Sequence, residues 1–324
     1  MITLGIESTC DESAVALVRN GKEILANCVA SQADIHKKYG GVFPEIAARE
    51  HIEALLPLIK IAFETARLSE KEIDLIAVAE GPGLMGSLLM GTTAAEALSF
   101  AWNKPLVGVN HVDAHLYSAM MEQNTDPIFP CLGLVLSGGH TFLAKMESIT
   151  HYHILGSSVD DAIGEAFDKV ATLLDLSYPG GPEIEQLAVC GNPLRYPLKA
   201  GQVKNRPLDF SFSGLKTNAL YTIKGYQGKR TGKSLISEAD KKDFAASFQK
   251  AAFFDIIEKT QKALKSVSCD TIYLGGGVTC NTYLQKLFRD MLPHVKSHFP
   301  SKKLCIDNGA MIAGLGFHLF QLQY

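Results

Sequence analysis

Leu132-Gly133-Leu134-Val135-Leu136-Ser137-Gly138-Gly139-His140-Thr141-Phe142-Leu143-Ala144-Lys145-Met146 reads as strand, turn, strand. The apolar run Leu132 to Leu136 ends in a small hydroxyl-bearing turn, and the chain resumes as a strand from Phe142 to Met146. The N-terminus follows the same plan. A strand from Ile2 to Ile6 runs into Glu7-Ser8-Thr9-Cys10-Asp11-Glu12-Ser13, and Ala14 to Val18 is a second strand. Asn20-Gly21 marks a hairpin turn before a third strand, Glu23 to Ala30.

A second pattern also occurs twice. The strand Leu75 to Ala79 leads through Glu80-Gly81-Pro82-Gly83-Leu84-Met85-Gly86-Ser87 into a helix that continues through Ala101. The strand Thr271 to Leu274 leads through Gly275-Gly276-Gly277-Val278-Thr279-Cys280-Asn281 into a helix from Thr282. Two similarly built halves predict duplicated α/β domains facing a cleft. Glycine turns at strand ends let backbone approach phosphates and put helix N-termini behind them. One such turn is weak evidence in a chain with 28 glycines. Turns at matching places in two halves point to a nucleotide.

Between the halves, Leu106 to Val109 is an apolar strand that delivers His111 and His115 into a helix, Val112 to Met121. Spacing of four residues puts both imidazoles on one helical face, about 5–6 Å apart at Cβ. That suits a zinc or iron(II) ion. It also suits two polar histidines on a half-exposed helix, and the stretch alone leaves both readings open. A zinc peptidase would need Glu directly after the first histidine. Val112 stands there, and Asp113 points off the histidine face, so a peptidase is disfavoured.

A chain of 324 residues is comfortable for two domains. Its 47% hydrophobic and 20% charged content is that of an ordinary soluble globular protein. The opening MITLGIES is not a secretory signal, and no apolar run approaches the roughly 18 residues of a membrane span. The seven cysteines are scattered without a CxxC pair, as in a reducing cytoplasm. Net charge is −3, so a nucleic-acid partner needs a local basic surface. From Arg195 to Lys233 the basic residues are Arg195, Lys199, Lys204, Arg206, Lys216, Lys224, Lys229, Arg230 and Lys233, against Asp209 as the only acid. This asymmetry suits RNA, or a solvated surface. In the helical region Glu45 to Arg67, Ile52, Leu55, Leu56, Ile59, Ala62 and Phe63 form an apolar stripe expected in the core. Leu58 and Ile61 fall off it and are expected at a subunit interface.

GIESTCDES, SQADIHKKYGGVFPEIAAREH, GPGLMGSLL, NHVDAH, LSGGHT, DDAIGEAFDKVATLL, YPGGPEIE, DFSFSGLKT, GGGVTCN and DNGAMIA follow one another along the chain. In this order they resemble the TsaD family, bacterial tRNA threonylcarbamoyladenosine transferases formerly named O-sialoglycoprotein endopeptidases. The resemblance covers essentially the whole chain. It implies duplicated actin/Hsp70/sugar-kinase-like (ASKHA) α/β domains around a nucleotide cleft. We place them at residues 1–130 and 131–324, with the last helix packing back on the first.

The implied reaction transfers a threonylcarbamoyl group from threonylcarbamoyl-AMP to N6 of the adenosine 3′ of the anticodon, releasing AMP. The implied metal, iron(II) with zinc as the alternative, falls to His111, His115 and Asp307. Val135, Leu136, Ser137, Gly138 and Gly139 would cradle the adenylate, and Asp168, Gly181, Glu185 and Asn281 match positions contacting ribose, adenine or substrate. Asp11 and Glu12 match an acidic pair proposed as catalytic. A TsaB-like paralogous subunit docked through N-terminal helices, a TsaE-like ATPase and tRNA are the implied partners, and the cytoplasm the implied compartment. Three features depart from the pattern. Glu185 stands where Asp is usual, Glu96 where Lys or Arg is usual, and the chain ends sooner after Asp307 than expected. The competing class is an ATP-dependent kinase or ATPase of the same fold, which shares the glycine turns but gives the two histidines no role.

Overall fold

The computed structural model of the chain describes residues 1–225 and 235–323. Lys229, Arg230 and Lys233 of the basic stretch lie outside them. The first half contains β1 (Ile2–Glu7), β2 (Glu12–Arg19), β3 (Glu23–Ser31), α1 (Ala33–His36), α2 (Pro44–Ala66), β4 (Leu75–Gly81), α3 (Met85–Trp102), β5 (Leu106–Asn110) and α4 (His111–Met121). Then come β6 (Cys131–Leu136), β7 (Thr141–Met146), β8 (Tyr152–Ser157), α5 (Ile163–Leu173), α6 (Gly180–Ala188), α7 (Ser213–Lys224) and α8 (Lys241–Val267). The chain closes with β9 (Thr271–Gly275), α9 (Thr282–Met291), β10 (Lys296–His298), α10 (Lys302–Cys305) and α11 (Gly309–Gln323).

The duplication expected from the sequence is present in the sheets. One has the order β3-β2-β1-β4-β5 and the other β10-β9-β6-β7-β8, the same topology read in opposite directions. In each, a meander of antiparallel strands (β1–β3, β6–β8) is extended by parallel strands (β4 and β5, β9 and β10). The predicted strands and helices are found within one or two residues of their expected ends.

The two sheets share a core. Ala77 and Val109 from the first sheet, Val135 and Tyr273 from the second, and Leu116 and Tyr117 of α4 belong to one buried apolar cluster with Met311 and Leu315 of α11. Helix α11 therefore crosses back from the second half to cover the first sheet, and Gly5 makes this possible. A Cβ on Gly5 would stand 2.3 Å from the carbonyl oxygen of Gly309 and 2.7 Å from Ala313 Cβ. Gly275 has the same role for α4, since a Cβ there would lie 2.0 Å from the His115 carbonyl oxygen. Close backbone approach at these points wedges α4 between the halves and carries Asp307, just ahead of α11, back to it.

Helix α2 corrects the expected stripe. Leu55, Leu58, Ile59 and Ala62 are buried, whereas Ile52 and Leu56 are 56% and 67% exposed. Ile61 is exposed as expected. The cause is His51, a polar residue that is fully buried. It accepts from Ser13 Oγ at Nδ1 (2.6 Å) and donates from Nε2 to the Cys10 carbonyl (3.0 Å). The stripe runs 47, 51, 55, 58, 62, so a reading that counts only apolar side chains is rotated away from it.

Candidate metal centre and cleft

Asn110 sets the start of α4. Its Oδ1 accepts the amides of Val112 (2.9 Å) and Asp113 (3.2 Å), an N-cap that makes His111 the first helical residue. His115 lies one turn on, with ring centroids 4.7 Å apart and planes at 76°. Glu7, fully buried at the end of β1, takes the Nδ1 proton of His111 at 2.8 Å, while its other oxygen accepts the Thr9 amide at 2.6 Å. That leaves the Nε2 of His111 directed at Asp307 Oδ1 (3.7 Å), and His115 Nε2 is 3.1 Å from the same oxygen.

At the fully buried His115, Nδ1 has no hydrogen-bond partner among the described residues, and Nε2 faces the Asp307 carboxylate without hydrogen-bond alignment. Leaving such a group unsatisfied costs about 1–3 kcal/mol, and a coordinated cation removes that cost. The ligand atoms of His111, His115 and Asp307 all lie within 4.8 Å of one another. Two imidazoles and a carboxylate, with a second carboxylate behind one imidazole, fit a divalent zinc or iron site.

The electrostatics agree. Burial disfavours the His111 imidazolium, but Glu7 and Asp307 outweigh it and raise its pKa to about 9. Burial opposes ionisation of Asp307, yet the two imidazoles hold its carboxyl down at about 2. His140 is pushed down by burial, then by His111 and His115. Glu12 is pushed up to about 9 by burial, with Asp11 and Asp307 adding to it. The centre is a compact charge cluster.

Across the cleft, the turn after β6 is narrower as a cradle than the sequence suggested. Val135 and Leu136 are strand residues with buried side chains, and the Ser137 amide already donates to the His140 carbonyl at 2.9 Å. Gly138 and Gly139 remain. Their amides meet no acceptor among the described residues, and a Cβ on either would meet nothing within 4 Å. Gly181 and Gly277 border open space in the same way. Asp168 Oδ1 accepts the Gly180 amide at 2.7 Å and so caps α6; burial raises its pKa to about 6. Asn281 Oδ1 caps α9, and its Nδ2 donates to Gln249 Oε1 at 2.9 Å. Glu185 accepts from the Thr282 amide (2.7 Å) and hydroxyl (2.5 Å), so the longer carboxylate ties α6 to α9.

The family described as "TsaD: tRNA N6-adenosine threonylcarbamoyltransferase" matches residues 23–314. The chain belongs to the TsaD family. A tRNA N6-adenosine threonylcarbamoyltransferase from Protochlamydia amoebophila (strain UWE25) is 55% identical over 323 residues, covering 100% of this chain and 94% of that protein. A protein of the same name from Dictyoglomus turgidum (strain DSM 6724 / Z-1310) is 46% identical over 328 residues, covering 100% and 95%. Among solved structures, T. kodakarensis HypF aligns with a TM-score of 0.63 at 15% identity, over 99% of this chain and 48% of that one. Component A of the Acidaminococcus fermentans (R)-2-hydroxyglutaryl-CoA dehydratase aligns with a TM-score of 0.55 at 14% identity, over 98% of each. These likenesses show the fold alone, a duplicated actin/Hsp70-like α/β architecture. Family membership makes the chain an acyltransferase acting on tRNA, and its metal dependence matches the His-His-Asp cluster.

The acidic pair divides between two settings. Asp11 is nearly buried and accepts from the Tyr178 hydroxyl of the second half at 3.3 Å. Glu12 accepts from Ser31 Oγ at 3.0 Å. Glu7, His140 and Tyr178 were not singled out in the sequence. Each stands in a stretch that carries the family resemblance, and Glu7 is also an acid closing an otherwise apolar strand just before a hydroxyl turn. In the basic stretch, Arg206 pairs with Asp209, and Lys216 lies 2.5 Å from Asp161. Arg195, Lys199 and Lys204 are exposed. Glu96 is exposed on α3 with no ion pair among the described residues. No described helix is long and apolar enough to cross a membrane.

Proposed function

We propose that the chain transfers the threonylcarbamoyl group of threonylcarbamoyl-AMP to N6 of adenosine 37, immediately 3′ of the anticodon, in tRNAs reading codons that begin with A. The observation that carries this reading is the His111–His115–Asp307 cluster beside a turn with two unengaged glycine amides. A kinase or ATPase of the same fold would need the turn and leave the cluster without a purpose.

The donor is a mixed anhydride, already activated. N6 forms a bond to the carbamoyl carbon, the bond from that carbon to the phosphate oxygen breaks, the electron pair leaves with AMP, and N6 gives up a proton. The exocyclic amine is a poor nucleophile, so the barrier is lowered mainly by positioning and by stabilising the leaving group. The amides of Gly138 and Gly139 are the donors we assign to the departing phosphate; losing one well-aimed donor costs about 3 kcal/mol. Asp168, Gly181, Glu185 and Asn281 build the wall facing the nucleoside, and Val135, Leu136 and Ser137 hold the turn. Asp11, facing the cleft beside Tyr178, is the better placed of the acidic pair to receive the N6 proton; Glu12 shapes its field. Iron(II), with zinc as the alternative, would be held by His111, His115 and Asp307 and would polarise donor oxygens.

We take residues 1–130 and 131–324 as the two units, with α11 lying on the first sheet. A TsaB-like paralogue, a TsaE-like ATPase and a cytoplasmic setting complete the reading. The test is incubation with threonylcarbamoyl-AMP and unmodified tRNA, followed by mass spectrometry of the nucleosides. Formation of N6-threonylcarbamoyladenosine and AMP supports it. Cleavage of ATP with no modified nucleoside would favour the kinase or ATPase class.

A further inference from the structure

A cavity of about 320 Å³ opens between the halves, beside the metal cluster, and Gly139 of the phosphate turn forms one edge of it. Pro82 and Asn110 line it from the first half, and His140, Phe142, Tyr152 and Ile154 from the second. Its volume is at the lower end of the range for ligand pockets. Four of the stretches that carry the family resemblance contribute to it: Pro82 from GPGLMGSLL, Asn110 from NHVDAH, His140 from LSGGHT and Asp160 from DDAIGEAFDKVATLL. The metal cluster uses only the histidines of one of them.

We infer that this cavity receives the acceptor adenine of the tRNA, unstacked from the anticodon loop; the inference rests on the transfer reading above. A base whose exocyclic nitrogen must react has to leave its stack, and flipped bases are held by aromatic or apolar faces and by hydrogen bonds to their edges. The cavity has both. Phe142 and Tyr152 lie with rings nearly parallel (15°, centroids 6.3 Å), and Ile154 is 59% exposed beside them. Asn110 spends its Oδ1 on the α4 cap, and its Nδ2 has no partner among the described residues, a donor suited to a purine ring nitrogen. Two carboxylates argue against a phosphate occupant. Asp113 accepts the Tyr152 hydroxyl at 2.5 Å. Asp160 accepts the Ser211 and Ser213 hydroxyls (2.6 and 2.7 Å) and the Phe212 and Ser213 amides (2.8 and 3.1 Å). A neutral base with an amino group tolerates these neighbours; a phosphodiester does not. Asn110 also adjoins His111 in sequence, which puts the cavity next to the metal cluster.

The test uses an anticodon stem-loop RNA with 2-aminopurine at the acceptor position, the paralogous subunit being supplied. Wild type should change the probe's emission on binding. Tyr152→Ala and Ile154→Asp should abolish that change, while Tyr152→Phe, which keeps the ring, retains it. With intact tRNA, Tyr152→Ala should lower kcat/KM roughly 5- to 150-fold, the range for loss of one base–aromatic stack, with AMP affinity and metal content unchanged. Variants that keep the wild-type emission change overturn the assignment, as does wild type that binds the RNA without one. A wild type that alters the probe yet makes no modified nucleoside sinks the transfer reading and leaves the pocket standing. RNA that does not bind at all overturns both.

Discussion

Glu7 Oε2 lies 2.8 Å from Nδ1 of His111, and this contact fixes which nitrogen of that ring is free to bind a metal. A carboxylate behind a ligating imidazole both orients it and raises its basicity, and removing such a partner typically costs 10–100-fold in metal affinity. Glu7→Gln should therefore lower iron(II) or zinc affinity by about that factor. His111→Ala, His115→Ala and Asp307→Ala should remove most of the metal while the fold survives, because the ligands stand on a preformed frame. Metal analysis beside a melting curve tests both. Because His111 titrates at about 9 without metal, uptake should release a proton and strengthen as pH rises toward that value. Full occupancy in all three alanine variants would remove the site.

His51 makes a pH prediction of opposite character. Burial lowers its pKa below the ordinary 6.5, outweighing the hydrogen bond to the Cys10 carbonyl, which favours the charged ring. Since the unfolded chain binds the proton more readily, stability is present above about pH 6.5 and is lost as pH falls toward the folded value. His51→Leu should leave Ser13 Oγ without its His51 partner and the Cys10 carbonyl with Ser87 Oγ alone, costing about 1–3 kcal/mol at pH 7.5. It should also flatten the fall in melting temperature between pH 6.5 and 5. A wild-type slope retained in the variant would place the acid sensitivity elsewhere.

The duplicated strand plan was legible because hairpin and strand-to-helix turns are local, and each leaves a mark within about ten residues. His111 and His115 were legible for the same reason, as neighbours on one helical turn. Asp307 was not reached by periodicity or spacing. It joins the cluster only because Gly5 lets α11 close on the first sheet, a contact between distant parts of the chain. Glu7 and Tyr178 are further examples, each defined by a partner in another element. The cradle narrowed for a different reason. An expected phosphate turn shows which amides are present, but not that the Ser137 amide is spent on His140.

Helix α2 offers a contrast between adjacent turns. Leu58 is 7% exposed and packs in the first-half core, so Leu58→Asp buries an uncompensated charge, at about 3–5 kcal/mol. Leu56, 67% exposed, should accept Asp within about 0.5 kcal/mol. If the paralogous subunit docks on this helix, Ile52→Asp with Leu56→Asp should abolish co-purification and leave the monomer folded. Denaturant midpoints for each variant, beside a pull-down, separate core from interface. Equal loss of stability in both would mean that the Leu56 face is packed.

Gly138 and Gly139 give the sharpest test of where the phosphate lies. A Cβ at either position meets nothing within 4 Å, and neither residue has a left-handed backbone, so Gly138→Ala and Gly139→Ala should fold with wild-type melting temperatures. The added methyl instead enters open space at the turn that carries the two free amides. If those amides hold the leaving phosphate, AMP affinity should fall and the transfer rate should drop by about 10²–10³, as for loss of one oxyanion donor. Metal content should not change, because neither residue touches His111, His115 or Asp307 through a hydrogen bond. AMP binding unchanged in both variants would mean that the phosphate is held elsewhere, at the N-terminus of α6 beside Gly181.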